Sequence, residues 1–589
     1  VSHAARVGGL LSASVAAIKH ALSGAVLGQP RAKVAFLTYD RQVHFFVLDE
    51  SRAQPSMLVM ADSEDLFLPV PDNLLVNLAD ARTLVDFLLE NLPAMFGASS
   101  ADTAATTTDS ALSSALRAAY GLINHSGGRV VVLQSSRPSL GEGKLETRSA
   151  QHKDALRPNS KFYQTFALDC TRKYISVDLV TYTNLPLDLP SLACLPRLTC
   201  GEHIHVPLPL RLDPHATATS QEHLSRALTS LLTRQIGLES VLRLRVSPGL
   251  RLANLQGNVF RRKEDLLATS ALDSHKSVAI TFEIDDAEIK ARRTVAIQAA
   301  LLYSSVDGER RIRVATICLP VANNNTDVFD TLDSVVTTAL MAKDAIPVMI
   351  TKGVKTFREQ LIGAAINILH AAGSSPAATP LANPRLSAPP AMHPLPGFLL
   401  AILKHTGFRS DPTITVDQRI VALEQVRNLP HDLLITYLVP MLYSIPPPED
   451  VRSTPRLPVS SEHLRQDGVF LLHNGSCMYL MVGRNVPPEL MTQLFGHSSI
   501  AQFPSTQLKL PTLDNPASKA TCALVAHIQD QYPLIAPLCV VRQDVDLDVW
   551  PTFIDHLVYD RSQRTQTWSY FEFLNLLASK VATLKGSTW

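Results

Sequence analysis

The sequence predicts a multidomain chain that mixes α/β, all-β and all-α regions, and three observations carry that prediction. Strand and helix patterns alternate from residue 1 to about 236, as in an open α/β sheet covered on both faces. Between residues 237 and 322 strand patterns follow one another without intervening helices, around a hairpin turn at Asp307-Gly308. From Asn323 helical periodicity takes over until Ile445-Pro446-Pro447-Pro448 stops it, and the remainder returns to short strands and helices. A chain of 589 residues is longer than one hydrophobic core organises, and typical domain sizes give about three to five domains.

Taken in order, Val1 to Gly28 is rich in Ala and Ser and reads as an amphipathic helix. Strands are predicted at Val34–Tyr39, Val43–Leu48, Arg129–Gln134, Ile175–Leu179 and His203–Val206, where β-branched and aromatic residues cluster. Helical spacing marks Asp80–Leu92, Ser110–Asn124, Phe162–Arg172 and Gln221–Gln235. Ala98 to Asp109 is almost wholly Ala, Ser, Thr and Asp, and reads as a disordered loop. In the all-β stretch the strands are Ser240–Val246, Ser277–Glu283 and the hairpin arms Ala296–Ser304 and Arg310–Cys318. Along the second arm Ile312 and Val314 fall on one side and Arg311 and Arg313 on the other, which predicts a core face backing a cationic face. Asn323-Asn324-Asn325-Thr326 is a capping cluster ahead of a helix with Phe329, Leu332, Val336 and Leu340 on one face. Ser374 to Pro396, rich in Pro, Ala and Ser, reads as a flexible loop, and Val469–His473 and Met478–Val482 as strands of a small last domain.

Composition excludes several function classes. Lys plus Arg (54) nearly cancel Asp plus Glu (53), so nothing favours bulk attraction to nucleic acid, and a charged partner must be met by a local patch. The seven cysteines are scattered with no CxxC pair, which fits a reducing compartment and argues against a zinc ribbon in this stretch. No sequence run approaches the roughly 18 apolar residues of a membrane span, and with no signal peptide the chain reads as cytosolic. It opens without Met, on VSHAARVGG, as if inside a domain, which predicts further sequence upstream.

Catalytic constellations find little support. Gly141 and Gly143 lack the third glycine and the strand-turn-helix setting of a pyrophosphate cradle. GHSSI at Gly496 to Ile500 has Ile500 where a nucleophile elbow needs glycine. His203 and His205 alternate on a strand with no third metal ligand nearby, and read as structural. Asp62, Glu64 and Asp65 form an acidic turn without calcium-loop spacing. The pair that suits recognition is Arg243 and Arg245, two apart and so on one face of a strand. Arginine holds a carboxylate with its planar fork and stays charged beside an apolar wall. On spacing alone the pair reads as a solvated surface ladder.

The motifs KVAFLTYDRQVHFF (Lys33 to Phe46), QPSMLVMADSEDLFLPVP (Gln54 to Pro71), GGRVVVLQSSRPSLGEGKL (Gly127 to Leu145), LESVLRLRVSPGL (Leu238 to Leu250), QAALLYSSVDGERRIRV (Gln298 to Val314), PGFLLAILKHTGFR (Pro396 to Arg409) and DGVFLLHNGSCMYLMVG (Asp467 to Gly483) run in order along the chain. Together they resemble the cargo-adaptor subunit of the inner COPII vesicle coat, the Sec-twenty-four family. The resemblance implies a von Willebrand A-like trunk over 1–236, truncated at its N-terminus, part of a β-sandwich over 237–322, a helical domain over 323–455 and a gelsolin-like domain over 456–589. It also implies a zinc ribbon and the first sandwich strands upstream of residue 1, with zinc held there and no cofactor in this stretch. The implied function is non-enzymatic: selection of membrane cargo for ER-to-Golgi transport. Arg243 and Arg245 match the family's acidic-signal pocket, with Leu301 in its wall, and Arg310, Arg311 and Arg313 are the basic residues expected to face anionic lipid. Implied partners are the paralogous inner-coat subunit as a heterodimer, the small GTPase of the coat, the outer-coat proteins, and the cytosolic tails of cargo and SNAREs. No nucleic acid is implied. The implied location is cytoplasmic, peripheral on the ER membrane at exit sites and on COPII vesicles. Two alternatives remain: the paralogous GTPase-activating subunit, or an actin- or calcium-binding gelsolin-like scaffold. Thr199-Cys200-Gly201 and Leu438 to Tyr443 (LVPMLY) depart from the family's usual Thr-Gly-Gly and Tyr-Pro-Arg.

Overall fold

A computed structural model of the chain describes residues 9–23, 32–61, 67–70, 73–96, 109–148, 154–208, 214–499, 510–531, 536–547, 549–562 and 564–586. The expected disordered loop after Ala98 lies almost wholly outside them, as does the acidic turn at Asp62, Glu64 and Asp65. The chain divides into two compact units, Val1–Pro320 with Thr415–Glu424, and Val321–Ile414 with Gln425–Trp589.

The first unit begins with helix α1 (Leu10–Ser23). The expected strand at 34–39 splits: β1 (Lys33–Val34) pairs with β5 (Val76–Asn77), while β2 (Leu37–Tyr39), β3 (Val43–Val47) and β4 (Ser56–Met60) form an antiparallel sheet. Helices α2 (Arg82–Met95) and α3 (Leu112–Ile123) follow. The trunk core is the parallel sheet β6 (Gly128–Gln134), β7 (Ile175–Tyr182) and β8 (His203–Val206), with β7 central and buried along its whole length. Its polar residues Ser176, Asp178 and Thr181 are buried with the apolar ones, and Asp178 is matched by Arg129 and by the Glu202 N–H. Helix α4 (Lys161–Arg172), whose Ser160 side chain caps it by accepting from the Phe162 N–H, packs on the sheet with the short helices α5 (Leu189–Leu192) and α6 (Cys194–Thr199). Helix α7 (Pro214–Thr233) joins α1 in a second cluster with Val180 and Tyr182.

The sandwich region holds β9 (Ile236–Val246), β10 (Leu250–Gln256), β11 (Phe260–Lys263), β12 (Leu266–Asp273), β13 (Ala279–Ile284), the short helix α8 (Asp286–Lys290), β14 (Thr294–Ser304) and β15 (Arg310–Pro320). The sheets are ordered β11-β12-β9-β14-β15 and β10-β13. Helix α8 breaks the expected helix-free run; Asp285 caps it through the Ala287 and Glu288 N–H groups. The 294–320 hairpin closes as the Asp307-Gly308 signal predicts, with Gly308 at φ +84° and the Ser305 N–H donating to the Glu309 carbonyl at 2.9 Å. Trunk and sandwich meet at Thr199-Cys200-Gly201. There Thr199 Oγ1 accepts from the Val177 N–H, Asn258 donates to the Gly201 carbonyl, and Lys276 donates to the Cys200 carbonyl. Cys200 occupies the left-handed region at φ +61°, where the family's glycine is unstrained.

In the second unit the helix expected after Asn323 is two helices. Asn324 caps α9 (Asn325–Asp330), and Asp333 caps a new start at α10 (Ser334–Ala372) through the Val335 and Val336 N–H groups. A capping aspartate in mid-pattern competes with continuation of the helix. Helix α10 is interrupted at Gly353 (φ 82°, ψ 176°). By length and hydropathy it alone among the described helices is long and apolar enough to cross a membrane. Its Ala342, Ile346, Met349, Phe357, Leu361 and Leu369 are nonetheless buried in the protein core. The stretch from Ser374 to Pro396 is no flexible loop: β16 (Thr379–Pro380) pairs with β17 (Ser387–Ala388), and Leu386, Ala388 and Met392 are buried. Three apolar anchors outweigh its Pro- and Ser-rich composition.

Helices α11 (Leu395–Lys404), α12 (Val416–Asn428) and α13 (His431–Leu438) follow. The 415–424 part of α12 counts with the first unit, where Asp417 accepts from the Leu187 and Leu189 N–H groups. The last sheet is ordered β19-β18-β20-β21-β22, from β18 (Met441–Ile445), β19 (Arg456–Leu457), β20 (Val469–His473), β21 (Met478–Val482) and β22 (Leu538–Arg542). It includes β18, on the helical side of the boundary expected at 455/456. Helices α14 (Pro488–Phe495) and α15 (Pro516–Asp530) cover one face and α16 (Trp550–Asp555) the other. Helix α17 (Tyr570–Gly586) returns to the helical region, where Asn575 accepts from Asn383 and Trp568, just before it, stacks under Arg358.

Candidate functional site

Strand β9 lies in the middle of the five-stranded sheet; past an irregularity at Glu239 (φ +48°), it alternates between Val241, Arg243 and Arg245 on one face and Ser240, Leu242 and Leu244 on the other. The second set is buried or half-buried, with Leu242 and Leu244 packed against Leu252, Leu255 and Ile280 of the β10-β13 sheet. That packing turns both arginines outward. Arg243 Nε donates to Asp265 Oδ2 at 2.7 Å, and the bond holds the Asp265 carboxyl below its usual value. Arg245 Nη1 donates to Gln298 Oε1 at 3.1 Å, leaving most of its fork unused.

Residues directly paired across antiparallel strands share a face. Arg243 stands opposite Ala300, Arg245 opposite Gln298, and Val241 opposite Leu302. One strand further on, Val314 stands opposite Ala300 and Ile312 opposite Leu302. The arginines therefore border an apolar strip of Ala300, Leu302, Ile312 and Val314. Two expectations are corrected by this register. Leu301 pairs with Leu242 and Arg313, on the sheet face away from Arg243 and Arg245, so it is not the wall beside them. Ile312 and Val314 are not core: they are 70% and 54% exposed, on an edge strand exposed along its whole length. Alternation reports which residues share a face, and nothing about which face is covered. Counting back across the Asp307-Gly308 turn, which pairs Ser304 with Arg310, is the signal that locates the strip.

The three hairpin arginines do not form one row. Arg310 contacts Glu239 and Ser304; Arg311 is held by two bonds to Glu309; Arg313 is exposed and, among the described residues, has no polar partner. Arg311 and Arg313 share the face of Leu301, and Arg310 takes the other.

Other candidates resolve as structure. Thr181 Oγ1 lies 3.1 Å from His203 Nε2 and 2.9 Å from His205 Nδ1, and burial pushes these rings down to about 3 and about 4, so both are neutral. The loop at Gly141 and Gly143 is filled by its own chain: Tyr163 donates to the Gly143 carbonyl at 2.6 Å, and a Cβ on Gly143 would meet that hydroxyl at 2.8 Å. Gly496 ends α14 at φ +74°, and Ile500 lies outside the described residues. A cavity of about 90 Å³ in the second unit, lined by Lys404, His405, Arg409, Tyr437 and His556, has room for a few waters. Its charges are already matched, with Lys404 on the Val558 and Asp560 carbonyls and Arg409 on Asp411 and Asp555. Among the described residues no three His, Cys, Asp or Glu side chains converge as metal ligands.

Comparison with known proteins gives the same architecture. The Sec23/Sec24 trunk domain matches residues 1–208, the Sec23/Sec24 beta-sandwich domain 237–322, the Sec23/Sec24 helical domain 333–436 and the gelsolin repeat 451–525. Protein transport protein Sec24A of Bos taurus is 35% identical over 563 residues, covering 93% of this chain and 50% of that protein. Protein transport protein sec24 of Schizosaccharomyces pombe is 33% identical over 605 residues, covering 97% of this chain and 62% of that one. The chain thus spans about half to under two thirds of the length of these curated relatives. The crystal structure of the human COPII-coat protein Sec24c superposes with a TM-score of 0.89 at 26% identity, over 99% of this chain and 76% of that one. With trunk, sandwich and helical models in sequence order and Sec24 relatives along more than nine-tenths of its length, the chain belongs to the Sec23/Sec24 family as a Sec24-type member.

Proposed function

We propose that this chain is the cargo-binding body of a COPII coat adaptor, and that the outward sheet face around Arg243 and Arg245 receives acidic export signals from cytosolic tails. The observation that carries this reading is the arginine pair bordering an apolar strip of half-buried Ala300 and Leu302 and exposed Ile312 and Val314. A signal that combines a carboxylate with apolar side chains matches both halves. The guanidinium forks hold the carboxylate, and covering about 100 Å² of the strip contributes about 2.5 kcal/mol. At Arg243 the incoming carboxylate exchanges with Asp265; at Arg245 it engages donors left free. The reading is supported by relatives named protein transport proteins and a superposable COPII-coat protein.

The wider assembly follows from the same membership. The full-length protein would pair with its paralogous inner-coat subunit, dock through the small GTPase, meet the outer coat, and select cargo and SNARE tails at ER exit sites and on vesicles. Arg313, unpaired, is the best placed of the hairpin arginines to meet anionic headgroups, while Arg310 and Arg311 are largely occupied by Glu239 and Glu309. Further sandwich strands upstream of residue 1 would pair with the open edge of β15, and a zinc ribbon would precede them. The test is binding of the full-length protein, with its paralogous partner, to labelled cytosolic tails with and without acidic signals. Selective, salt-sensitive binding of acidic tails is expected. Equal binding of both sets, or of neither, overturns the reading.

A further inference from the structure

Two of the seven cysteines share one face of neighbouring strands in the last domain. Cys477 closes the turn before β21, and Cys539 lies in β22, which pairs parallel with β21. The register sets Tyr479 opposite Cys539 and Met478 opposite Leu538, so Cys477 is the diagonal neighbour of Cys539. The Cys477 N–H and the Cys539 position are fixed from both sides: Asn474 Oδ1 accepts from the Cys477 N–H at 2.7 Å, and the Met478 N–H donates to the Pro537 carbonyl at 2.9 Å. The two Sγ atoms stand 3.8 Å apart, close to van der Waals contact, and both residues are partly exposed. Cys170, Cys194 and Cys200 are buried, while Cys318 is exposed.

We propose that Cys477 and Cys539 form a reversible disulfide when the protein meets a hydroperoxide, making this sheet edge a redox-modified site. Cys539 is the attacking sulfur. The Cys477 S–H donates toward it and holds the Cys539 thiol below its usual value, while Cys477 itself is pushed up. Cys539 Sγ attacks one peroxide oxygen: an S–O bond forms, the O–O bond breaks, and the leaving oxygen departs as water or an alcohol. Cys477 Sγ then attacks the sulfenyl sulfur; the S–S bond forms, and the hydroxyl leaves as water with the Cys477 proton. Two thiols lose two electrons to one peroxide. The bond would tie the edge strand β22, which leads into α16, to the turn of Asn474 to Cys477, and thiol reductants would reverse it. A transient bond of this kind suits a reducing compartment.

The experiment treats the folded full-length protein with hydrogen peroxide and quenches with a thiol-alkylating reagent. Intact mass and peptide mapping then follow, for wild type, Cys477→Ser and Cys539→Ser. Wild type is expected to lose two hydrogens and to yield a cross-linked Cys477–Cys539 peptide that dithiothreitol removes. Cys477→Ser should stop at a sulfenic acid on Cys539, trapped by dimedone, and Cys539→Ser should give no cross-link. Exposed Cys318 serves as the internal control for peroxide delivery. A wild type in which Cys318 is oxidised while Cys477 and Cys539 both remain alkylatable overturns the proposal, whether or not either variant folds. So does a cross-link that forms only after denaturation.

Discussion

At Arg243 one edge of the guanidinium is already taken by Asp265, whereas Arg245 shares a single bond with a neutral amide. The two arginines are therefore not equivalent. Arg245→Ala is expected to weaken acidic-tail binding more than Arg243→Ala, and Asp265→Asn to tighten it several-fold by freeing Arg243; titration of labelled tails against the three variants checks the ranking. The buried histidines make a second prediction. His203, His205 and His223 in the trunk, and His405, His473 and His556 in the second unit, are all pushed by burial to about 3 or 4. Below about pH 6.5 the unfolded chain takes up protons there that the folded chain refuses until pH falls toward 4. Stability therefore rises with pH across that window and is lost as pH falls through it. Each ring contributes on the order of 1–3 kcal/mol. Denaturant midpoints at pH 7.5 and pH 5 should differ in that direction, and equal midpoints contradict the burial of neutral rings. From sequence the alternating histidines were legible as a pair on one strand face. The strength of their burial was not, since it depends on what α7 lays over β8.

Strand β15 shows where element-scale reasoning from sequence stops. Its start, its partner and its Asp307-Gly308 turn are legible, because turn chemistry and alternation are local, while the strand runs past the expected Cys318 to Pro320. Which face is covered is decided by the β10-β13 sheet, and β10, β11 and β12 escaped prediction. Leu250 to Asp273 carries a register shift between Leu252 and Leu255, and joins β11 to β12 through a turn of charged residues without glycine or asparagine. Ile312→Ser/Val314→Ser is accordingly expected to change unfolding free energy by less than about 1 kcal/mol, since no contact is buried there, while lowering tail affinity. Leu244→Ala, buried on the inner face, should cost about 2–4 kcal/mol. Comparing the two by chemical denaturation separates an open strip from a core. A sharper prediction falls at the trunk–sandwich seam. A Cβ on Gly201 would lie 1.9 Å from the Val177 carbonyl oxygen, closer than any relaxed contact, so Gly201→Ala should destabilise by several kcal/mol, about 3 or more. The neighbouring Cys200 already pays a left-handed strain, so Cys200→Gly should be tolerated far better than Gly201→Ala.

Across the whole molecule, the order of α/β, all-β, helical and mixed regions was legible because each announces its own periodicity over tens of residues. Three long-range facts were not. The 415–424 stretch counts with the trunk, β18 enters the last sheet from the helical side, and α17 returns to the helical region. Each depends on a contact between residues far apart in sequence, such as Asp417 with Leu187, which no local pattern encodes. The spacing of two puts Arg243 and Arg245 on one strand face, whereas the family resemblance set Leu301 beside them; only the register of β14 against β9 separates the two. The central claim is that the outward face of this sheet is a cargo site built from Arg243, Arg245 and the strip beside them. The measurement that tests it most directly is the affinity of one acidic export tail for wild type, Arg243→Ala/Arg245→Ala and Ile312→Ser/Val314→Ser, each shown to be folded by its unfolding midpoint. The account predicts that both double variants lose about 2 kcal/mol or more of binding, roughly thirtyfold. Undiminished affinity in both folded variants would contradict it and move the site elsewhere on the protein.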